Sequence, residues 1–149
     1  MRRFSWSRVE PIKKLLPFWY RASLMLPWIC GFPFVVFKNE LEIVAVPSWQ
    51  GSPTYQSYII GQKGRRFEGL VDLKGDVHAF SDPGSNSGYL VTLAALIEAK
   101  LDANAIFKKH FFTYGHRNVI RAVASGLAQS GSVDGYVYDV VTELEPALT

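Results

Sequence analysis

The sequence predicts an α/β domain built around a mostly parallel sheet. Strand-like runs alternate with helix-periodic runs from about residue 55 onward, and glycine, proline, serine or asparagine punctuates the joins between them. Apolar residues make up 48% of the chain and charged residues 19%, which suits a packed core and not disorder. A length of 149 residues suits one domain of ordinary size.

The elements follow in order. Residues 42–46 (Glu-Ile-Val-Ala-Val) form a β-branched run that stops at Pro47, and residues 55–61 form another with partial alternation, so both are expected to be strands. Between them, residues 47–53 are a turn-rich bend. Residues 62–69 are polar and basic, and residues 70–75 supply a short helical turn stopped by Gly75. A strand is expected over residues 77–80. The apolar positions Leu90, Leu93, Ala94, Ile97 and Leu101 then predict a helix over 90–100. A strand around Phe111 and Phe112 precedes a second helix over 118–129, with Asn118 as its cap and Val119, Ile120, Val123 and Leu127 on its apolar side. Residues 135–138 read as the next strand, with helix from Val140 until Pro146.

Charge divides the chain unevenly: residues 1–38 carry +6 and residues 39–149 carry −3. The basic start (Arg2, Arg3, Arg8, Lys13, Lys14), followed by an apolar and aromatic run, invites a signal-peptide or membrane-anchor reading. Arg21 interrupts that run, Pro17, Pro27 and Pro33 break helices, and no small-residue cleavage site follows, so it is not a convincing signal peptide. No Lys/Arg-rich helix face or recognition motif points to nucleic acid. The single cysteine, Cys30, excludes an intramolecular disulfide.

The most informative stretch is Ser81-Asp82-Pro83-Gly84-Ser85-Asn86-Ser87-Gly88-Tyr89, between an expected strand and an expected helix. Free backbone N–H groups and the positive end of the helix dipole converge at such a join. Ser85, Asn86 and Ser87 add side-chain donors, so the loop suits a phosphate-like anion. The same residue types are also what an ordinary strand-to-helix turn prefers. Hydrolase and kinase signatures are missing: there is no Gly-Lys-Ser/Thr phosphate loop, no Ser-His-Asp signature, and no metal spacing among His78, His110 and His116. No enzyme activity and no cofactor is expected.

Four blocks together resemble the phosphonate-binding branch of the periplasmic solute-binding proteins that serve ABC transporters. They are Pro53-Thr54-Tyr55-Gln56-Ser57, Asp72-Leu73-Lys74-Gly75, Phe80 through Leu90, and Gly115-His116 followed by Asp134 and Asp139. The resemblance covers roughly residues 27–145. It implies a type 2 periplasmic-binding-protein fold, in which two α/β lobes grip a ligand. This chain's length then implies one complete lobe plus fragments of the other, as in a chain truncated at its N-terminus. Residues 1–46 are expected to be a partial first lobe, in which residues 28–35 are a buried strand and loop. Residues 47–139 are expected to be the second lobe, with the anion loop, and residues 140–149 a return towards the first.

By that resemblance the chain is the substrate-binding component of an ABC transporter, periplasmic, taking phosphonate, phosphite or phosphate and partnered by a permease. The implied ligand-binding residues are Tyr55, Ser85, Asn86, Ser87, His116 and Asp139. Asn86 departs from the Ser-Thr-Ser common there. His116 is expected to be neutral and to donate one hydrogen bond, because a charged imidazole at a helix start is unfavourable. Asp139 fits only a protonated oxygen or an amine on the ligand, and Asp134 is expected to be a solvated turn. Exposed apolar surface between the lobes is expected to cause self-association. A ligand-sensing domain of a regulatory system is the alternative, and a phosphate-handling enzyme a more distant one.

Overall fold

A computed structural model of the chain describes residues 29–149. They divide into two compact units between Ala45 and Val46. The expectations for the basic start fall on residues outside the described ones.

In the first unit the expected strand around residues 28–35 is instead a short helix, α1 (Gly31–Val36). Pro33 has no N–H to give a sheet ladder, whereas its fixed φ suits a first helical turn. Residues 42–46 are not a strand either. Ile43 is 54% and Val44 75% exposed, so β-branched residues alone, without a neighbouring strand to pair with, do not make a sheet.

The second unit holds a four-stranded sheet in the order β1-β4-β2-β3, where β1 is Ser57–Gly61, β2 Val77–Phe80, β3 Lys109–Phe112 and β4 Ser130–Asp134. β2 runs parallel to β3 and β4, and β1 pairs antiparallel with β4. The predicted α/β class with a mostly parallel sheet is the one observed. One face is covered by α4 (His116–Ala124) and α5 (Gly135–Leu144). Ala79, Val119, Ile120, Val123, Val133 and Val141 form the core there. The other face packs Leu73, Phe80, Leu96, Ile106 and Phe107, drawn from β2, the 3-10 turn Leu70–Leu73, α2 (Val91–Glu98) and α3 (Ala103–Ile106) with the residue after it.

Gly131 lets α4 come close. A Cβ there would lie 2.5 Å from Val119 Cγ1, so only hydrogen fits between strand and helix.

The strand expected at residues 135–138 is the start of α5, and the real strand lies just before it. Its sequence, Ser-Gly-Ser-Val-Asp, has almost no apolar signal, yet all five residues are buried. Polar partners explain this. His78, fully buried on β2, lies 2.8 Å from Ser130 Oγ through Nδ1 and 2.8 Å from Ser132 Oγ through Nε2. Ser130 donates to Asp76 at 2.7 Å, Thr92 lies 2.7 Å from Ser132 Oγ, and Arg65 binds both Asp76 oxygens at 2.8 Å. A hydroxyl has one proton. Ser130 spends its own on Asp76, so His78 must donate from Nδ1. Burial, with His110 adding to it, drives the His78 imidazole down to about 3, so the ring is neutral and Nε2 accepts from Ser132. Ser132 then accepts from Thr92, and the direction of every bond in the chain is fixed.

Thr92 also corrects the expected face of the first helix. Thr92 and Leu96 are its buried residues, while Ile97 is 67% exposed. The second helix is capped by Gly115; Asn118 lies inside it and donates from Nδ2 to Thr113 O at 3.0 Å. Leu127, expected on the apolar side of that helix, follows its end and is 64% exposed.

The buried imidazole makes folding acid-sensitive. His78 has a folded pKa below its unfolded value, so the unfolded chain binds the extra proton and stability falls as pH drops from about 6.5 towards 3. His116, lowered in the same direction, and Asp72, whose carboxyl is lowered chiefly by the amides of Glu68 and Gly69, add to the loss. Urea unfolding across that range should show a midpoint that declines on acidification, with a slope for His78 of up to about 1.4 kcal/mol per pH unit. A flat midpoint between neutrality and pH of about 4 would refute the buried neutral imidazole.

Candidate functional site

The carboxyl ends of β2, β3 and β4 and the start of β1 lie at one end of the sheet, the position where open α/β sheets bind ligands. Three loops meet there. After β2 the chain turns at Asp82, whose Oδ1 accepts from Gly84 N at 2.7 Å. Ser85 then caps the next element, its Oγ accepting from Gly88 N at 3.0 Å. That element is one π turn, Asn86–Leu90, leading into α2, and Leu90 N bonds Ser85 O at 3.1 Å. Such wide turns are frequent at functional sites.

Ser85 and Ser87 are buried, Asn86 is exposed, and the loop is tied to β1 by Ser57 Oγ donating to Ser87 O at 2.6 Å. Ser81 lies beneath. Its hydroxyl is buried and has no hydrogen-bond partner in the protein.

His116 begins α4 with its ring against this loop: a Cβ on Gly88 would lie 2.9 Å from His116 Cε1 and 1.8 Å from Ser81 Oγ. Its Nδ1 accepts from Asp134 N at 3.1 Å. Burial lowers the imidazole below its ordinary range, with Asp134 and Asp82 pulling the other way. A neutral ring whose Nδ1 accepts a hydrogen bond carries its proton on Nε2. The expected neutral, singly donating His116 is thus the form the geometry selects, and the backbone amide of Asp134 selects it.

Asp134 itself is not the expected solvated turn. It is 7% exposed and caps α5, its Oδ1 accepting from Val137 N at 3.2 Å. Asp139 lies further along α5, half-buried and without a hydrogen bond or ion pair, in contrast to Asp134 beside His116. Tyr55 precedes β1 by two residues and is 48% exposed. Arg117 pairs with Glu145. Among the expected residues the structure therefore brings Ser85, Ser87 and His116 around Gly88, and places exposed Asn86 and partly covered Tyr55 at the same end.

Sequence reasoning missed Ser57, Ser81 and the structural part of Asp134. It also missed Tyr114, 71% exposed with φ of 56°, a left-handed conformation rare for a non-glycine residue, beside Gly115 and His116. Only the last left a trace, as an aromatic before a Gly-His pair.

Residues 24–149 match the family model described as "ABC transporter, phosphonate, periplasmic substrate-binding protein". The chain belongs to this family. Among curated relatives, it is 35% identical over 89 residues to the phosphate-import protein PhnD of Mycolicibacterium smegmatis, a match covering 54% of this chain and 27% of that protein. The chain thus matches about a quarter of that relative's length. Two solved structures share the fold. PhnD1 from Prochlorococcus marinus in complex with methylphosphonate gives a TM-score of 0.57 at 23% identity, over 64% of this chain and 38% of that one. A binding protein component of an ABC phosphonate transporter from Pseudomonas aeruginosa gives 0.58 at 23% identity, over 66% and 34%. The family is one of transport binding proteins, not of enzymes. Its proteins are periplasmic, and among the described residues no helix is long and apolar enough to cross a membrane.

Gly88 is the test of this packing. Gly88→Ala must displace Ser81 or the loop, and overpacking of this kind costs about 1–3 kcal/mol, measurable as a lower urea midpoint. Ser81→Gly in the same chain should restore part of the loss. An unchanged midpoint in Gly88→Ala would show that the loop does not close over Ser81.

Proposed function

We propose that this chain binds a phosphonate, phosphite or phosphate-like oxyanion for an ABC transporter, without changing it chemically. The observation that carries the reading is His116, whose Nδ1 accepts from the Asp134 amide, which leaves Nε2 as the donor, and whose Cε1 lies against Gly88 of the helix-start loop. Hydroxyls, loop amides and one neutral imidazole can satisfy a tetrahedral oxyanion. Tyr55 and Tyr114 wall the opening, and Asp139 serves an amine or a protonated oxygen on the ligand.

In this reading residues 47–139 form the ligand-gripping lobe, residues 1–46 belong to the first lobe, and residues 140–149 return towards it. The protein acts in the periplasm with a permease as partner. Tyr114, 71% exposed at the ligand end, supports self-association of the chain through this end.

Calorimetry at neutral pH tests the ligand class. Methylphosphonate, phosphite or phosphate should bind, and sugars and neutral amino acids should not; selective sugar binding would sink the proposal. His116→Phe keeps a ring against Gly88 but removes the donor. A hydrogen bond to a charged oxygen is worth about 1.5–3 kcal/mol, so affinity should fall by about tenfold to a hundredfold. Equal affinity in the variant would remove His116 from the site.

A further inference from the structure

β1 is an edge strand without the usual protection. It stands first in the sheet order and, among the described residues, has β4 as its one neighbour. Open edges are normally blunted by a lysine, a proline or a bulge. The other edge, β3, begins with exposed Lys109, whereas β1 reads Ser-Tyr-Ile-Ile-Gly, without a charge or a proline. The register fixes which backbone groups point outward. Gly135 N donates to Gln56 O at 2.9 Å and Ser57 opposes Asp134, so Gln56, Tyr58 and Ile60 turn their N–H and C=O groups to the β4 side. Ser57, Ile59 and Gly61 therefore turn theirs to the open edge.

The same chain carries a strand-like run that has no ladder. Residues 42–46, Glu-Ile-Val-Ala-Val, have strong β propensity yet form no strand, and Ile43, Val44 and Val46 are 54%, 75% and 57% exposed. Run and edge fit each other in one direction. Laid antiparallel, with Glu42 opposite Gly61 and Val46 opposite Ser57, the run brings the backbone groups of Glu42, Val44 and Val46 against those of Gly61, Ile59 and Ser57. Pro47, which has no N–H, then falls opposite Gln56, whose groups face β4. Directly opposed residues share a face of the sheet. Val44 thus lies beside Ile59, at a cavity of about 290 Å³ that Phe67, Leu70 and Leu73 also line and in which Glu68 is the one charged lining residue. Ile43 and Ala45 fall beside Ile60 and Tyr58, which pack on the face covered by α4 and α5. Charge selects the same direction. The antiparallel pairing sets Glu40 and Glu42 at the Gly61 end, where Lys63 and Arg66 follow; a parallel one would set Glu42 at Ser57, opposite Asp134 and with no cation in residues 46–62. Glu68 and Asp72 stand further along the chain, so charge sets the direction and the apolar pairs supply the affinity.

We propose that two copies of this chain exchange residues 42–46, each copy adding them as a fifth, antiparallel strand to the open edge of β1 in the other. Strand addition of this kind draws affinity from the main-chain ladder and specificity from the alternating side chains. The exchange is reciprocal, so one twofold dimer covers both edges and both runs and closes on itself. Pairing β1 directly with β1 of a second copy would leave Val44 exposed and the cavity beside Ile59 uncovered. This contact is distinct from one through Tyr114 at the ligand end. It is also independent of the oxyanion reading, because the assay contains no ligand and its failure leaves that reading untouched.

Analytical ultracentrifugation of the full chain tests the exchange. The chain should form a dimer whose population rises with concentration. Val44 is exposed in the single chain, so Val44→Asp should leave the far-UV circular dichroism unchanged, and it should weaken the dimer by at least about a hundredfold because both copies lose their valine contact at once. Val44→Pro removes an N–H aimed at Ile59 O in each half of the dimer and should weaken it by about tenfold or more. Ala45→Pro removes an N–H that points away from β1 and should weaken it much less. Equal weakening by the two prolines would refute the ladder. In a Cys30→Ser background, chains carrying only Ile43→Cys and chains carrying only Ile60→Cys, mixed and mildly oxidised, should form the mixed disulfide, since these two positions oppose each other as a non-hydrogen-bonded pair with Cα atoms about 4.5 Å apart. A chain carrying both substitutions that closes within itself would overturn the exchange, as would a disulfide between two Ile60→Cys chains in place of the mixed one. A monomer at every concentration, or a dimer lost in Tyr114→Ser and kept in Val44→Asp, would overturn it too.

Discussion

Everything at the ligand end depends on one buried run of hydrogen bonds, from Thr92 through Ser132, His78 and Ser130 to Asp76 and Arg65. It crosses the sheet between β2 and β4 and reaches up into α2, so it fixes the strand that carries Asp134 relative to the helix that follows the anion loop. A buried polar group left unpaired costs about 1–3 kcal/mol, so each link is strongly held in place by the next. The run ends on a carboxylate paired with a partly exposed arginine, which spares the core an uncompensated charge. The arrangement has a direction: protons point from Thr92 towards Asp76, and reversing any one would leave two acceptors or two donors facing each other.

That network also explains which parts of the fold were legible. β1, β2, β3 and the 3-10 turn announced themselves through β-branched and aromatic runs or a terminal glycine, because their side chains meet apolar neighbours. β4 did not. Its buried Ser130 and Ser132 are there for His78, a partner more than fifty residues away in sequence, and a pattern search that equates burial with hydrophobicity moves the strand forward onto Gly135 through Tyr138. Thr92 misled in the same way by taking a core position on α2 that a leucine would have advertised. Residues 42–46 erred in the other direction, since β-branched residues without an edge to pair with stay irregular.

The loop that carries the candidate site was easier to place in the sequence than strand β4 beside it. Residue types and order alone marked Ser85, Asn86 and Ser87 as a strand-to-helix join suited equally to an anion or to an ordinary cap, and only the family resemblance singled them out as ligand contacts. His116 was pointed to by the same resemblance. The contacts that aim it could not be read in either way: the Asp134 amide is a backbone group with no residue-type signature, and Ser57 reaches Ser87 O across a pairing that only the sheet creates.

Gly88 shows why the loop tolerates so little change. Its missing side chain is the space into which Ser81 Oγ and the His116 ring both press, so the two ends of one loop and a distant helix start meet at one hydrogen atom. The Ser81 hydroxyl is buried there without a protein partner, a state that costs stability and that stability alone would have replaced with alanine. A hydroxyl kept at such a cost beneath a helix-start loop, next to an imidazole held in its Nε2–H form, fits the oxyanion ligand proposed for this loop. The sheet supplies rigidity through its polar core, and that rigidity holds the Ser81 hydroxyl and the His116 ring in place beneath the loop.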